Sequence, residues 1–528
     1  MNYGFLIDHR KCIGCHACTV ACKSEHSVPI GVNRTWVKYV ERGTYPNSRR
    51  FFTVMRCNHC DDAPCVKICP VGALFNREDG IVDFNQERCI GCKSCTLACP
   101  YDSIYINPDT DTAAKCNFCA HRIDAGLNPA CVNVCPEQAI LAGDLENPDS
   151  TISKTIGREQ VQARKVEKGT IPKLFYIQGD AASLNPMAAP PSRQYQQTEQ
   201  AGGVGHYAKY NEKRTGSESA SVPVLDGAGE SQKLLEGQSR RTHDVPSKGI
   251  LWGWELPAYL WTKAIAAGVF VLTAVASLFS LSEVSEGVAW FSASSALGFV
   301  VLTSAALVKD LDKPSRFAYI FLRPQYSSWL TRGGLIIASF GFFIALWMAG
   351  NYLQIPMVET VALWGALISG GFLAIYTAFL LAQAKGIDFW QSSLLPIHMA
   401  VQSALAGSSF FLVASLLVTI NPGFLDLVKT VFGLSLLFNL AILLAEITMS
   451  HPTSDAKLTV KMITGKRFGA VFFVGVILLG NLIPAGILWQ APVALLPIVL
   501  PLAGALALVG FYINEHIWIK APQLIAGS

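Results

Sequence analysis

Charge is what this chain has least of. Only 15% of its 528 residues are Asp, Glu, Lys or Arg, against roughly 25% in an ordinary soluble protein. A wholly soluble fold is therefore excluded for at least part of it. The net charge of +4 is small and unclustered, which gives no surface for nucleic acid. The opening residues, Met1-Asn2-Tyr3-Gly4-Phe5, carry no basic n-region, no apolar h-region and no twin arginine. The first domain is thus expected to stay in the cytoplasm, or to be exported by a means not written in it. Cysteine is absent after Cys135. Large apolar residues are scarce from about Met187 to Val245, where Gln, Ser, Gly, Glu and Pro dominate. Such a stretch cannot bury enough surface to fold alone and reads as a linker or a strap.

What the first part does have is 16 cysteines, and four runs use them all. Cys12, Cys15, Cys18 and Cys22 read C-x2-C-x2-C-x3-C, and Cys89, Cys92, Cys95 and Cys99 repeat that spacing. Cys57, Cys60, Cys65 and Cys69 differ by four residues between the middle pair, and Cys116, Cys119, Cys131 and Cys135 by eleven. This spacing wraps three thiolates around one iron–sulfur cube and sends the fourth to a neighbouring cluster. Structural zinc needs two Cys pairs per site and has no use for a third close thiolate. A disulfide scaffold belongs to short secreted domains. Cys12-Ile13-Gly14-Cys15-His16 also matches the haem-attachment pattern, but the longer run already claims both thiols.

Residues 1–145 read as an α+β ferredoxin-like domain for four clusters, 146–186 as its ordered extension and 187–248 as a low-complexity linker. Phe5-Leu6-Ile7-Asp8, Gly80-Ile81-Val82-Asp83-Phe84 and the stretch from Ile171 to Ile177 are the extended segments. Residues 249–528 read as an all-α bundle. A helix needs about 20 mostly apolar residues to cross a bilayer. Eight runs meet that need, at about 255–281, 287–308, 333–350, 360–384, 394–420, 428–449, 468–489 and 493–514. On the side where the linker arrives, the loops and tail carry Lys309, Lys313, Arg316, Arg323, Arg332, Lys385, Lys457, Lys461, Lys466, Arg467 and Lys520; the other side carries only Lys429. Eleven against one is a positive-inside bias, which puts the cysteine domain in the cytoplasm at the inner membrane. A docking surface for the cysteine domain is the competing reason for so many cations.

Residues 1–186 resemble the four-cluster iron–sulfur subunit of molybdopterin oxidoreductases of the dimethyl sulfoxide, polysulfide and tetrathionate reductase type. The likeness rests on the sixteen cysteines, on Pro70, Pro100 and Pro136 after three runs, and on Lys173-Leu174-Phe175-Tyr176. It implies four [4Fe–4S] clusters, with the first run pairing with the fourth and the second with the third. The implied ligand sets are Cys12, Cys15, Cys18 and Cys135; Cys116, Cys119, Cys131 and Cys22; Cys57, Cys60, Cys65 and Cys99; and Cys89, Cys92, Cys95 and Cys69. Residues 251–528 resemble the polysulfide-reductase and NrfD-type membrane anchor. That likeness rests on Tyr259-Leu260-Trp261-Thr262-Lys263-Ala264-Ile265-Ala266-Ala267-Gly268, on Asp310-Leu311-Asp312-Lys313-Pro314-Ser315-Arg316-Phe317, on Tyr376-Thr377, and on Ile517-Trp518-Ile519-Lys520. It implies a quinone (menaquinone or ubiquinone) at the end of the bundle nearest the clusters, with Tyr376 at a ligand position. Ala378 stands where such anchors commonly have glycine.

Polar side chains inside a bilayer are costly and default to function. Those expected at the quinone or on its proton route are Glu255, Tyr259, Lys263, Asp310, Tyr376, His398 and Glu446. Glu255, Tyr259 and Lys263 follow i, i+4, i+8 and share a helix face. The plainer alternatives are a snorkelling Lys263, an interfacial Tyr259, a helix–helix hydrogen bond at His398 and a surface ion pair of Asp310 with Lys309 or Arg316. No molybdopterin- or substrate-binding domain is visible. The expected function is therefore electron transfer between the quinone pool and a separate molybdopterin-type catalytic subunit, with no substrate chemistry in this chain. A quinol-to-cytochrome conduit without molybdenum and an ion-translocating redox module are the alternatives.

Overall fold

The computed structural model describes residues 1–186, 188–189, 191–197, 239–245, 249–490 and 496–525. Its strands, in chain order, are β1 (Tyr3–Asp8), β2 (Thr35–Thr44), β3 (Asn47–Arg56), β4 (Leu74–Asn76), β5 (Val82–Phe84), β6 (Ile104–Asn107), β7 (Thr112–Lys115), β8 (Ile140–Asp144), β9 (Val161–Ala163), β10 (Leu174–Ile177), β11 (Pro191–Gln197) and β12 (Ser239–Asp244). One sheet has the order β8-β1-β10-β9 and another β11-β12-β2-β3; β4–β5 and β6–β7 are hairpins. β1 is interior to its sheet, antiparallel to β8 and parallel to β10. That is why Phe5, Leu6 and Ile7 are apolar without alternation: all three are buried. Since β10 pairs with β1, the extension 146–186 completes the first sheet.

The stretch expected as a linker is partly strand. Residues 191–197 and 239–244 add β11 and β12 to the β2–β3 hairpin, while 198–238 and 246–248 lie outside the described residues. A polar segment needs no core of its own when an existing sheet edge offers it backbone partners. Side chains reinforce the seam: Trp36 donates to Asp244 at 2.9 Å, and Arg241 pairs with Asp244 at 3.0 Å.

Beyond residue 249, eight helices are long and apolar enough to cross a membrane. They are α1 (Glu255–Leu278), α2 (Glu286–Asp310), α3 (Trp329–Tyr352), α4 (Pro356–Gln383), α5 (Leu395–Ala414), α6 (Pro422–Thr448), α7 (Val471–Gln490) and α8 (Leu496–Lys520). α1 is the axis of the bundle, packed against α2, α4, α5 and α8. The first part of α7, Val471–Leu482, is π-helical. The last span differs from its expected range of 493–514. It continues to Lys520, because Trp518 and Ile519 are buried and extend the apolar face past Glu515.

Candidate electron-transfer site

Each cysteine run folds the same way locally. The residue before the second cysteine is left-handed in all four: Gly14 (φ 72°), His59 (43°), Gly91 (69°) and Phe118 (62°). This turn wraps the first two thiols around one point. Glycine adopts it freely, whereas a histidine or phenylalanine must be held there. His59 accepts from the Val82 N–H at 3.2 Å, and Phe118 stacks on Phe5 at 4.0 Å. A helix then carries the third cysteine of each run: Ala17–His26, Pro64–Ile68, Ser94–Ala98 and Ala130–Asn133.

The folded chain gathers cysteines of different runs. Cys12, Cys15, Cys18 and Cys135 line one cavity, and Cys69, Cys89, Cys92 and Cys95 line another. Cys57 and Cys99 are electrostatic neighbours of both Cys60 and Cys65, and Cys131 is a neighbour of both Cys22 and Cys116. All sixteen thiols are free of disulfides. Burial pushes the thiols of Cys18 and Cys92 up to about 12 and that of Cys22 to about 11. Left to themselves these thiols stay protonated, whereas a coordinated thiol is deprotonated outright. Donors are ready for the resulting charge. The N–H groups of Ala73, Ala113 and Ala139 reach Cys69, Cys89 and Cys135 sulfurs at 3.2, 3.4 and 3.3 Å, and Arg56 reaches Cys131 at 3.1 Å. This donor set fits anionic iron–sulfur clusters.

The cysteine domain sits on the bundle through its second and third runs. Lys93, next to Cys92, donates to the Asp310 carboxylate at 2.9 Å and to its carbonyl at 2.5 Å. Arg316 donates to the carbonyls of Gln86 and Cys89 at 2.8 and 2.9 Å. Backbone bonds run from Asp312 to Gly91, from Lys313 to Ile90 and from Gly386 to Leu97. Ser328 and Thr331, at the start of α3, donate to the carbonyls of Ile68 and Pro70. The Asp310–Phe317 motif is thus the docking loop. Asp310 is held by Lys93, not by Lys309 or Arg316. Trp252 donates to the Cys92 carbonyl at 3.2 Å and stacks on Trp390, ring centroids 5.7 Å apart.

Below this seam the bundle buries polar groups. Tyr259 on α1 and Tyr376 on α4 share a hydroxyl–hydroxyl contact, and Tyr259 also reaches Thr377 at 3.1 Å. Lys263 donates to Thr377 Oγ1 at 2.8 Å and to the Ala374 carbonyl at 3.2 Å. It does not snorkel; 2% of it is exposed. Glu515 on α8 lies within electrostatic reach of Lys263 and accepts from Gln402 of α5 at 2.9 Å. So Tyr259, Lys263 and Tyr376 come together. Glu255 is only partly buried, at the first position of α1, one turn before Tyr259. His398 belongs to a second group, in which it meets Asn439 at 3.1 Å and Asn439 donates to Asn481 at 2.8 Å. Its other ring neighbour is Trp518. Glu446 accepts from Ser392 at 2.6 Å and lines a cavity between the α4–α5 and α6–α7 loops. Sequence reasoning missed Thr377, Gln402, Asn439, Asn481 and Glu515. The signal for Glu515 was a carboxylate one residue beyond the end drawn for the last span.

Residues 11–74 and 49–145 match the 4Fe-4S dicluster domain families, and residues 244–526 match the family described as polysulphide reductase, NrfD. The N-terminal part is similar to a tetrathionate reductase subunit of Salmonella typhimurium, 46% identical over 35% of this chain and 76% of that protein. It is similar to the arsenate respiratory reductase iron-sulfur subunit ArrB of a Shewanella species, 36% identical over 34% of this chain and 96% of that protein. It is also similar to protein NrfC of Escherichia coli, 42% identical over 34% of this chain and 81% of that protein. The likenesses cover the two halves separately. An iron–sulfur electron-transfer subunit and a multi-pass membrane anchor are here one polypeptide.

Proposed function

The chain belongs to the polysulphide reductase NrfD family, fused to 4Fe-4S dicluster domains, and from that premise we propose that it carries electrons between a membrane quinone and a separate molybdopterin-type catalytic subunit. One observation carries the reading. Thiols run from the solvent-exposed Cys15 to Cys92, whose own carbonyl is bound by a tryptophan of the bundle. Electrons entering at one end would pass from site to site to the other.

The ligand sets we assign to [4Fe–4S] clusters are Cys12, Cys15, Cys18 and Cys135; Cys22, Cys116, Cys119 and Cys131; Cys57, Cys60, Cys65 and Cys99; and Cys69, Cys89, Cys92 and Cys95. Such clusters supply one-electron transfer when bound. The protein's part is to hold them in sequence, shield them and donate hydrogen bonds to sulfur. We assign the quinone to Tyr376, Tyr259 and Lys263. Their hydroxyls and ammonium offer donors to carbonyl oxygens in a dry site, and Glu515, held by a hydrogen bond from Gln402, stands behind Lys263 as the proton-bearing group. His398 and Glu446 are assigned to the proton route, since the cavity at Glu446 gives water a way to a buried carboxylate.

The cysteine domain is assigned to the cytoplasmic side. Lys313 and Arg316 hold the cysteine domain, so docking accounts for two of the eleven cations. Nine against one remains a positive-inside bias.

Metal analysis of the purified intact complex tests the reading. Iron near ~16 per chain, with molybdenum or tungsten and no haem, is expected. Haem without either metal would replace the partner by a cytochrome, and iron near half that value would overturn the cluster assignment.

A further inference from the structure

Arg56 ends β3, one residue before Cys57, and is 1% exposed. Its Nη1 donates to the Cys131 sulfur at 3.1 Å, and its guanidinium carbon lies 4.4 Å over the Phe5 ring. Nε and Nη2 have no hydrogen-bond partner among the described residues. Burial opposes its charge; the sulfurs of Cys131, Cys116 and Cys18 hold it. The same charge is felt at Cys22 and Cys119. It therefore reaches all four cysteines of one assigned set and Cys18 of the neighbouring set. Among the described residues no carboxylate pairs with it.

A buried cation without a carboxylate is strongly disfavoured unless other negative charge compensates it. Four thiolates around a cluster are that charge, and each reduction adds one more unit. In a low-dielectric interior a fixed cation a few ångströms away favours the more negative state. Cluster potentials are set by such charges and by hydrogen bonds to sulfur.

We propose that Arg56 sets the reduction potential of the cluster assigned to Cys22, Cys116, Cys119 and Cys131, holding it above the value a neutral side chain would allow. The inference rests on the ligand sets assigned above. The step concerned is a one-electron reduction of that cluster by its neighbour in the chain of clusters; no bond forms or breaks and no proton is bound. Arg56 does not touch substrate; it acts through the sulfur it binds.

The test is a potentiometric titration followed by electron paramagnetic resonance on Arg56→Gln, Arg56→Met and Arg56→Lys in the full chain. The two neutral variants should hold wild-type iron, and their reduced-to-oxidised ratio at the wild-type midpoint should fall about tenfold, a shift of ~59 mV for one electron. Arg56→Lys, which keeps the charge, should stay near wild type. In wild-type protein labelled with nitrogen-15 arginine, the reduced cluster should show a nitrogen coupling across the Nη1–sulfur bond. Unshifted potentials in the neutral variants, an equal shift in Arg56→Lys, or no nitrogen coupling overturns the proposal. Iron loss confined to the variants assigns Arg56 to cluster assembly and also overturns it. Wild-type iron well below ~16 instead defeats the ligand sets themselves.

Discussion

The Tyr376 hydroxyl is shared with Tyr259, and Tyr259 has a second partner in Thr377. Tyr376→Phe therefore removes a donor without leaving Tyr259 alone. The ring stays in place against Gly333, whose missing side chain makes room for it. Loss of one such hydrogen bond costs about 0.5–1.5 kcal/mol. If that bond is made to a quinone carbonyl in the transition state, quinone-linked turnover falls roughly tenfold at the upper end of this range. Dye-linked activity at the catalytic partner and iron content should not change, since they depend on the other end of the chain. Equal losses in both activities, or none in either, remove Tyr376 from the quinone site. Lys263 is the harder residue to replace. Its ammonium is buried among a hydroxyl, a carbonyl and two aromatic rings, so its removal disturbs packing and charge together.

Helices α1 and α5, which carry Tyr259, Lys263, His398 and Gln402, cross at Gly268 and Gly407. A β-carbon on Gly268 would stand 1.9 Å from the Ser403 carbonyl oxygen, and one on Gly407 2.2 Å from the Gly268 carbonyl carbon. Both obstacles are backbone, so the helices themselves would have to part. This is why the Tyr259–Gly268 motif ends in glycine. Gly298 on α2 has open space around it and serves as the control. Overpacking costs about 1–3 kcal/mol or more, and each 1 kcal/mol moves Tm by about 2–4 °C in a domain of 150–250 residues. Gly268→Val in detergent should lower Tm by at least ~2 °C and broaden the size-exclusion peak, while Gly298→Val should do neither. Equal Tm values for the two variants would show that the crossing has slack. Because α1 holds Tyr259 and Lys263 while α5 holds His398 and Gln402, parting this pair should also lower quinone turnover.

The whole molecule is two bodies joined by a seam rather than by a single covalent strap. Lys93, Arg316, Lys313, Ser328 and Thr331 hold backbone and carboxylate groups across it, and Trp252, stacked on Trp390 within the bundle, donates across it to the Cys92 carbonyl. Most of these bonds end on backbone carbonyls beside cluster cysteines, so docking fixes the positions of the second and third runs directly. The cations on this face have two physical causes, docking and membrane orientation, and a reporter separates them. A reporter active only in the cytoplasm, fused after Ser528, should give signal. Activity of a periplasm-only reporter at the same place reverses the orientation.

The local features were readable from the chain alone. The spacings C-x2-C and C-x3-C act within one turn of backbone, and bilayer-length apolar runs need no partner to be recognised. Tyr259 and Lys263 could be placed on one face because helical geometry repeats every few residues. The groups with remote partners were not readable. Lys93 finds Asp310 217 positions away, and Trp36 finds Asp244 208 positions away. Residues 191–197 and 239–244 became strands only because β2 offered a free edge. Glu515 and Gln402 meet 113 positions apart, inside a bundle whose last helix outran its apolar core. Arg56 looks like an ordinary cation at the end of a strand until folding places Cys131, Cys116 and Cys18 around it. Spacing and hydropathy are properties of neighbouring residues. Which buried charge faces which sulfur depends on chain crossings that only the packed fold makes.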